Sequence, residues 1–92
     1  MTDDDLLSSL KSTLLIPNEV NTFDQILMAY LLGAKSYINS ILDRIPEDDE
    51  LYNLTLIYLA QYYYLNRDNP KLKNLPVTLN SLLNRLKTKY HD

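Results

Sequence analysis

LYNLTLIYLAQYYYLNR, residues 51–67, settles the fold class of this chain. At helical spacing it carries one apolar stripe through Leu51, Leu54, Tyr58, Tyr62 and Leu65, and a second through Tyr52, Leu56, Leu59 and Tyr63. Ile57 and Tyr64 point a third way. A helix on the surface of a small domain shows one apolar stripe against a polar face. Apolar residues on every side mean a helix that is central in its domain or shared with another molecule. The first stripe is expected to face the core and the second to lie at an edge. Such a helix in so short a chain points to an assembly protein rather than an enzyme.

The flanking sequence reads as three more helices. Pro46 stops the helix before this one, and Glu47-Asp48-Asp49-Glu50 opens the tyrosine-rich helix with acids that suit a helix start. The preceding helix is expected to begin at Thr22, an N-cap closed into a capping box by Gln25, and to run to about Arg44. Its core face reads as Phe23, Leu27, Tyr30, Ala34, Ile38, Ile41 and Ile45. A first helix, about Asp3–Leu15, places Leu7, Leu10 and Leu14 on one face before Pro17, Asn18 and Asn21 interrupt it. On the other side, Asn66–Val77 reads as a loop from Asn69-Pro70 and Leu75-Pro76. Thr78 is then expected to cap a last helix carrying Leu79, Leu82, Leu83 and Leu86, fraying towards Tyr90, His91 and Asp92. The expectation is an all-α, compact four-helix domain with short loops, a single unit over residues 1–92.

Composition agrees with that reading. Twenty leucines and a single glycine favour helix, and β-branched residues show no sustained alternation that would mark a sheet. A chain of 92 residues buries roughly 60–70% of the surface its unfolded form exposes, which makes a thin but workable core. The chain has no cysteine, which removes disulfides, thiolate chemistry and cysteine-ligated zinc. Met-Thr-Asp-Asp-Asp lacks the basic start and apolar run of a signal peptide, and the longest apolar run, Ile26–Ala34, is far short of a bilayer span. A soluble, non-secreted protein with no membrane partner is expected. Residues 1–50 hold ten acids and three bases, and residues 51–92 hold two acids and six bases, so net −3 conceals a −7 half and a +4 half. Helix-end preferences account for part of this split. It also suits a molecule whose two ends face different partners or successive subunits.

Catalytic chemistry finds no foothold. The only histidine, His91, sits beside the end of the tail, and one glycine cannot build a phosphate loop. The acid clusters Asp3–Asp5 and Glu47–Glu50 lack the alternating ligands and central glycine of a calcium loop and read as helix starts. No catalytic residue, cofactor or metal is therefore expected. Arg85, Lys87 and Lys89, with Lys71 and Lys73 before them, allow weak contact with passing DNA, whereas a pI near 4.9 argues against sequence-specific binding.

Interaction surfaces are more promising. Ala29, Gly33, Ser36 and Ser40 form a strip of small residues along the second helix, with Met28 and Leu32 beside it. Glycine inside a helix costs about 1 kcal/mol relative to alanine and is best tolerated where another backbone comes close. Two readings fit: packing against the first or fourth helix, or a groove for a neighbouring subunit. Met28, Ala29, Leu32 and Gly33, with Tyr52, Leu56, Tyr63 and Tyr64 as aromatic and apolar anchors, are the candidate subunit or partner interface.

The order of these features resembles the small head–tail connector proteins of long-tailed bacteriophages, also called head-completion or DNA-packaging adaptor proteins. The likeness covers nearly the whole chain. LLSSLKSTLLI is followed by FDQILMAYLLGAKSYINSIL, similar to the family's long helix with its Ala-Lys-x-Tyr-Ile element at Ala34, Lys35, Tyr37 and Ile38. YYYLNR closes the third helix with Asn66 and Arg67, and Leu75-Pro76 precedes a terminal helix with Ser81-Leu82-Leu83 and Arg85. The segment between the second and third helices is short and acidic here, where many members carry a longer loop or an aromatic element. The resemblance implies a structural protein made in the host bacterial cytoplasm and resident in the virion neck. It would self-associate into a ring on the portal protein, continue the DNA channel and offer a platform to tail-side neck or tail-completion proteins. Two other readings stay open: a small helical phage regulator that binds a host or phage protein, and a minor DNA-binding protein.

Overall fold

The first helix begins where Thr2 and Asp5 close a capping box: Thr2 Oγ1 accepts from the Asp5 amide, and Asp5 Oδ2 accepts from the Thr2 amide, both at 3.1 Å. The computed structural model describes residues 1–69 and 74–92. These form α1 (Asp3–Thr13), α2 (Asp24–Ile41), α3 (Glu50–Leu65) and α4 (Val77–Lys89). Among the described residues there is no strand, so the domain is all-α, and no helix is long and apolar enough to cross a membrane. Lys71 and Lys73, and the expected turn at Pro70, lie outside the described residues.

α1 buries Leu6 and Leu10 and lays Leu7 and Leu14 against the core. It ends in a Schellman turn, with the Ile16 amide donating to the Lys11 carbonyl at 2.8 Å and the Leu15 amide to Ser12 at 3.1 Å. Leu15 takes the left-handed conformation this turn demands, φ 60°, although it is not glycine. Lys11 is buried to 3% exposure, yet its Nζ lies 2.9 Å from Asp24 Oδ1 and donates to the Asn18 carbonyl at 3.0 Å. This one ammonium pins the α1–α2 connection to the start of α2.

That pin displaces the expected helix start. Thr22 and Gln25 form no capping box; Phe23 occupies the N-cap with no side-chain bond, and Asp24 opens α2 with its carboxylate turned to Lys11. The far end also comes early, at Ile41. A proline ring clashes with the carbonyl four residues before it in a helix, so Pro46 bars α2 from continuing through it, and the helix ends short of that limit. Leu42 is extended and buried instead, and Ile45 is left exposed. The core face of α2 is accordingly Leu27, Leu31, Ala34 and Ile38, without Phe23 or Ile45.

α3 is the central helix and packs against each of the other three. Its orientation reverses the sequence expectation. Tyr52, Leu56 and Leu59 are buried and Tyr63 is half-buried, while Leu54, Tyr58 and Leu65 are exposed and Leu51 and Tyr62 are half-buried. With apolar residues on all sides, polar satisfaction selects the inner face. The Tyr52 hydroxyl donates to Asn39 Oδ1 at 2.5 Å, and Thr55, fully buried, returns its hydroxyl to the Leu51 carbonyl at 2.7 Å.

α4 begins at Val77, with Pro76 rather than Thr78 at the N-cap, because the fixed φ of proline already presets the helical entry. It buries Leu79, Leu82, Leu83 and Leu86, as its leucine spacing predicts. The tail beyond it is held rather than frayed. Lys89 Nζ pairs with Asp49 Oδ2 at 2.6 Å, and the Tyr90 hydroxyl donates to the same oxygen. His91 Nδ1 lies 3.2 Å from Asp43, and Arg44 reaches Asp92 at 3.2 Å. The whole is a slab of 41 × 31 × 18 Å, about two helices thick.

Candidate functional site

Three consecutive tyrosines near the end of a helix point in three directions, because successive residues turn by about 100°. Tyr63 faces α2 and meets the Tyr30 ring at 6.3 Å, and Tyr64 meets the same ring edge-on at 6.3 Å. Tyr62 leans on Tyr63 at 6.5 Å and donates its hydroxyl to the Asn74 carbonyl at 3.1 Å. Beyond the helix end the Arg67 guanidinium lies 4.2 Å from the Tyr64 ring centroid and donates to the Tyr64 carbonyl at 2.6 Å. Asn66 covers the Tyr62 carbonyl at 2.8 Å. The last turn of α3 is therefore an ordered aromatic platform with a stacked cation on it.

Between this platform and α2 lies a groove of about 460 Å³, lined by Ala29, Tyr30, Gly33, Tyr62, Tyr63 and Arg67 among others. Among the described residues its polar groups are phenols, amides and one guanidinium, and no histidine or carboxylate lines it. Burial pushes the Tyr63 hydroxyl above the ordinary phenol range, with Tyr37 adding to the shift, so the phenol is neutral at physiological pH. Such a lining recognises a ligand by stacking and hydrogen bonding.

Gly33 opens this groove: a Cβ built there meets no atom within 4 Å. Ala29, Ser36 and Ser40 are exposed as well, so the small-residue strip packs against neither α1 nor α4. Leu32 stands beside it at 50% exposure, while Met28 is half-buried against the core. Of the remaining candidate interface residues, Tyr63 and Tyr64 belong to the platform. Tyr52 and Leu56 do not reach the surface, at 6% and 1% exposure. They sit where α3 meets α2 and belong to the domain's own core.

A second surface lies across α3. Leu54, Tyr58, Gln61 and Leu65 fall on the side of the helix opposite Leu56, Ala60 and Tyr63, and Leu65 is 60% exposed. A shallower groove of about 340 Å³ runs there, between Tyr58, Leu65, Pro76 and Leu79. A third feature is the acidic corner between α2 and α3. Asp48 holds the Met1 ammonium at 2.7 Å, which keeps its carboxyl below the ordinary range. Asp49 caps α3 through the Leu51 and Tyr52 amides. The Lys89 ammonium and then the Tyr90 hydroxyl hold its carboxyl far below the ordinary range. Among the described residues neither Glu47 nor Glu50 has an ion-pair partner, and exposed Ile45 and Leu54 lie beside them in sequence.

On α4, Arg85 and Lys87 are exposed, whereas Lys89 is committed to Asp49. The possible DNA-contacting set thus loses one of its three cations to the fold. Among the described residues no group of three or more histidines or carboxylates is placed to hold a metal ion. Tyr30, Tyr62 and Arg67 are among the groove residues absent from the sequence-based interface set. The sequence signal for Tyr30 was its place three residues before Gly33, on the same flank of α2.

No family model, curated protein or solved structure matches this chain.

Proposed function

We propose that this protein is a structural adaptor of a phage neck, made in the host cytoplasm. It docks on the portal as a ring, extends the DNA channel and offers a platform to tail-side neck or tail-completion proteins. Catalysis has no part in this reading. The observation that carries it is the pair of unlike exposed surfaces on two sides of α3, whose grooves meet at Tyr62 and Asn66. One is the groove of Ala29, Gly33 and the tyrosine platform, and the other is the stripe of Leu54, Tyr58 and Leu65. A ring of identical subunits needs two different faces on each protomer, since a single self-complementary patch yields only a dimer. The charge split between the two halves of the chain and the resemblance to head–tail connectors support the same reading. DNA contact is left to Arg85 and Lys87 and is weak and without sequence preference.

Mixing the protein with its portal and sizing the product tests the proposal directly. A closed multi-subunit ring is expected, together with recovery of the chain in purified virions by mass spectrometry. A one-to-one complex with some other protein and absence from virions would replace the adaptor with a small helical regulator. Salt-dependent DNA retention abolished by neutralising Arg85 and Lys87 would favour a minor DNA-binding protein.

A further inference from the structure

α3 carries opposite chemistry at its two ends. Glu47 precedes it and Glu50 opens it, two carboxylates without an ion-pair partner among the described residues, and Leu54 is exposed one turn on. Its last turn carries the tyrosine platform, and Arg67 follows with its guanidinium over the Tyr64 ring, 4.2 Å from the centroid, and no carboxylate paired to it among the described residues. Sixteen residues of helix hold the two ends about 24 Å apart, so the acids of a chain cannot reach its own Arg67. Another copy can supply each end with the complement that this helix holds at its far end.

We infer that copies of this chain join head to tail, the Glu47–Glu50 corner of one entering the Tyr30–Tyr63–Arg67 groove of the next. The inference rests on the ring reading above and gives it an interface. A guanidinium held by the Tyr64 ring and by its bond to the Tyr64 carbonyl can present its remaining N–H groups to a carboxylate as a fork, which gives the joint direction as well as attraction. Leu54 brings apolar surface to the aromatic wall. Gly33 leaves the groove floor low enough for the backbone of the α2–α3 connection to approach. Because the joined surfaces differ, each added copy leaves one end of each kind open, and the chain of contacts extends until it closes on itself.

The absence of cysteine makes a clean cross-linking test possible. Under mild oxidation the double variant R67C/E50C is expected to form a ladder of dimers, trimers and higher species. An equimolar mixture of the single variants R67C and E50C stops at two chains. Charge reversal gives an independent arm. Arg67→Glu raises the concentration for half-assembly at least about thirtyfold, and so does the pair Glu47→Lys with Glu50→Lys. Mixing the two variants restores assembly, while circular dichroism shows each to be folded. No ladder beyond background overturns the inference, as does a ladder that ends at a dimer or a mixture that remains monomeric. Failure of these joints in a protein that is nevertheless found in virions overturns this interface and not the adaptor reading. Intact joints in a protein absent from virions do the reverse.

Discussion

Replacing Gly33 with alanine separates the needs of the single domain from those of an assembly. Gly33 lies in the interior of α2, has no positive φ and is exposed, and an added Cβ meets nothing within 4 Å. The methyl group therefore adds no clash, and the backbone loses freedom only in the unfolded chain. An exposed glycine in a helix interior is less favourable than alanine by about 1 kcal/mol. For a domain of this size that gain raises the melting temperature by about 4–8 °C. Thermal unfolding followed at 222 nm, at concentrations low enough to keep the protein monomeric, measures it. The same methyl group projects into the groove between α2 and the tyrosine platform, so assembly weakens while the monomer becomes more stable. A less stable monomer would show that α2 is packed differently around residue 33. A stabilised monomer that assembles as well as the wild type would show that no neighbour approaches Gly33 closely.

Three further substitutions probe the fold that presents these surfaces. Leu15→Gly removes a left-handed leucine that is 89% exposed, so it gains about 1 kcal/mol, read as a higher urea midpoint at unchanged slope. Lys11→Met keeps the length of the side chain but leaves the inward oxygen of Asp24 without its ion-pair partner, at a cost of about 2 kcal/mol. A neutral outcome would show that the Lys11–Asp24 pair does not hold the α1–α2 connection. The Asp49 carboxyl is held far below its ordinary value, so the stability it contributes is present above about pH 4 and is lost as the pH falls further. Asp49→Asn should destabilise by about 1–2 kcal/mol at pH 7, and the gap to wild type should begin to close near pH 4 and narrow steadily as the pH falls further. A gap independent of pH would assign the effect to capping geometry rather than to charge.

How much of this was legible in the sequence depended on how local the cause was. Pro46, Leu75-Pro76 and the leucines at 79, 82, 83 and 86 mark helices and their limits within a few residues of themselves, and all four helices were readable from such signals. Thr22 with Gln25 and Thr78 were equally plausible caps. They lost to an ion pair made by Lys11, thirteen residues before Asp24, and to the preset φ of Pro76. The inner face of α3 was not legible, because leucine and tyrosine on every side gave no hydrophobic contrast. The choice fell to Asn39, which accepts from Tyr52 thirteen positions away. That reversal also removes Tyr52 and Leu56 from the interface while leaving Ala29, Gly33 and Tyr63 in the groove and Tyr64 beside it against Tyr30. Whether Gly33 faced another helix or an open groove was not legible either, since a helical glycine suits both.

The docked tail has a kinetic consequence. Tyr90 to Asp49, Asp92 to Asp43 and Met1 to Asp48 join residues 41, 49 and 47 positions apart, whereas the turns of each helix form between near neighbours. Closing such wide loops is entropically slow and is rewarded only once α2, α3 and α4 are in place. The corner is therefore expected to form after the rate-limiting step of folding and to open before that of unfolding, which stopped-flow folding and unfolding rates of Asp49→Asn would check. Weakening it should hasten unfolding and leave the folding rate nearly untouched. The residues around Asp49 then set how long a folded copy survives, independently of how quickly it forms.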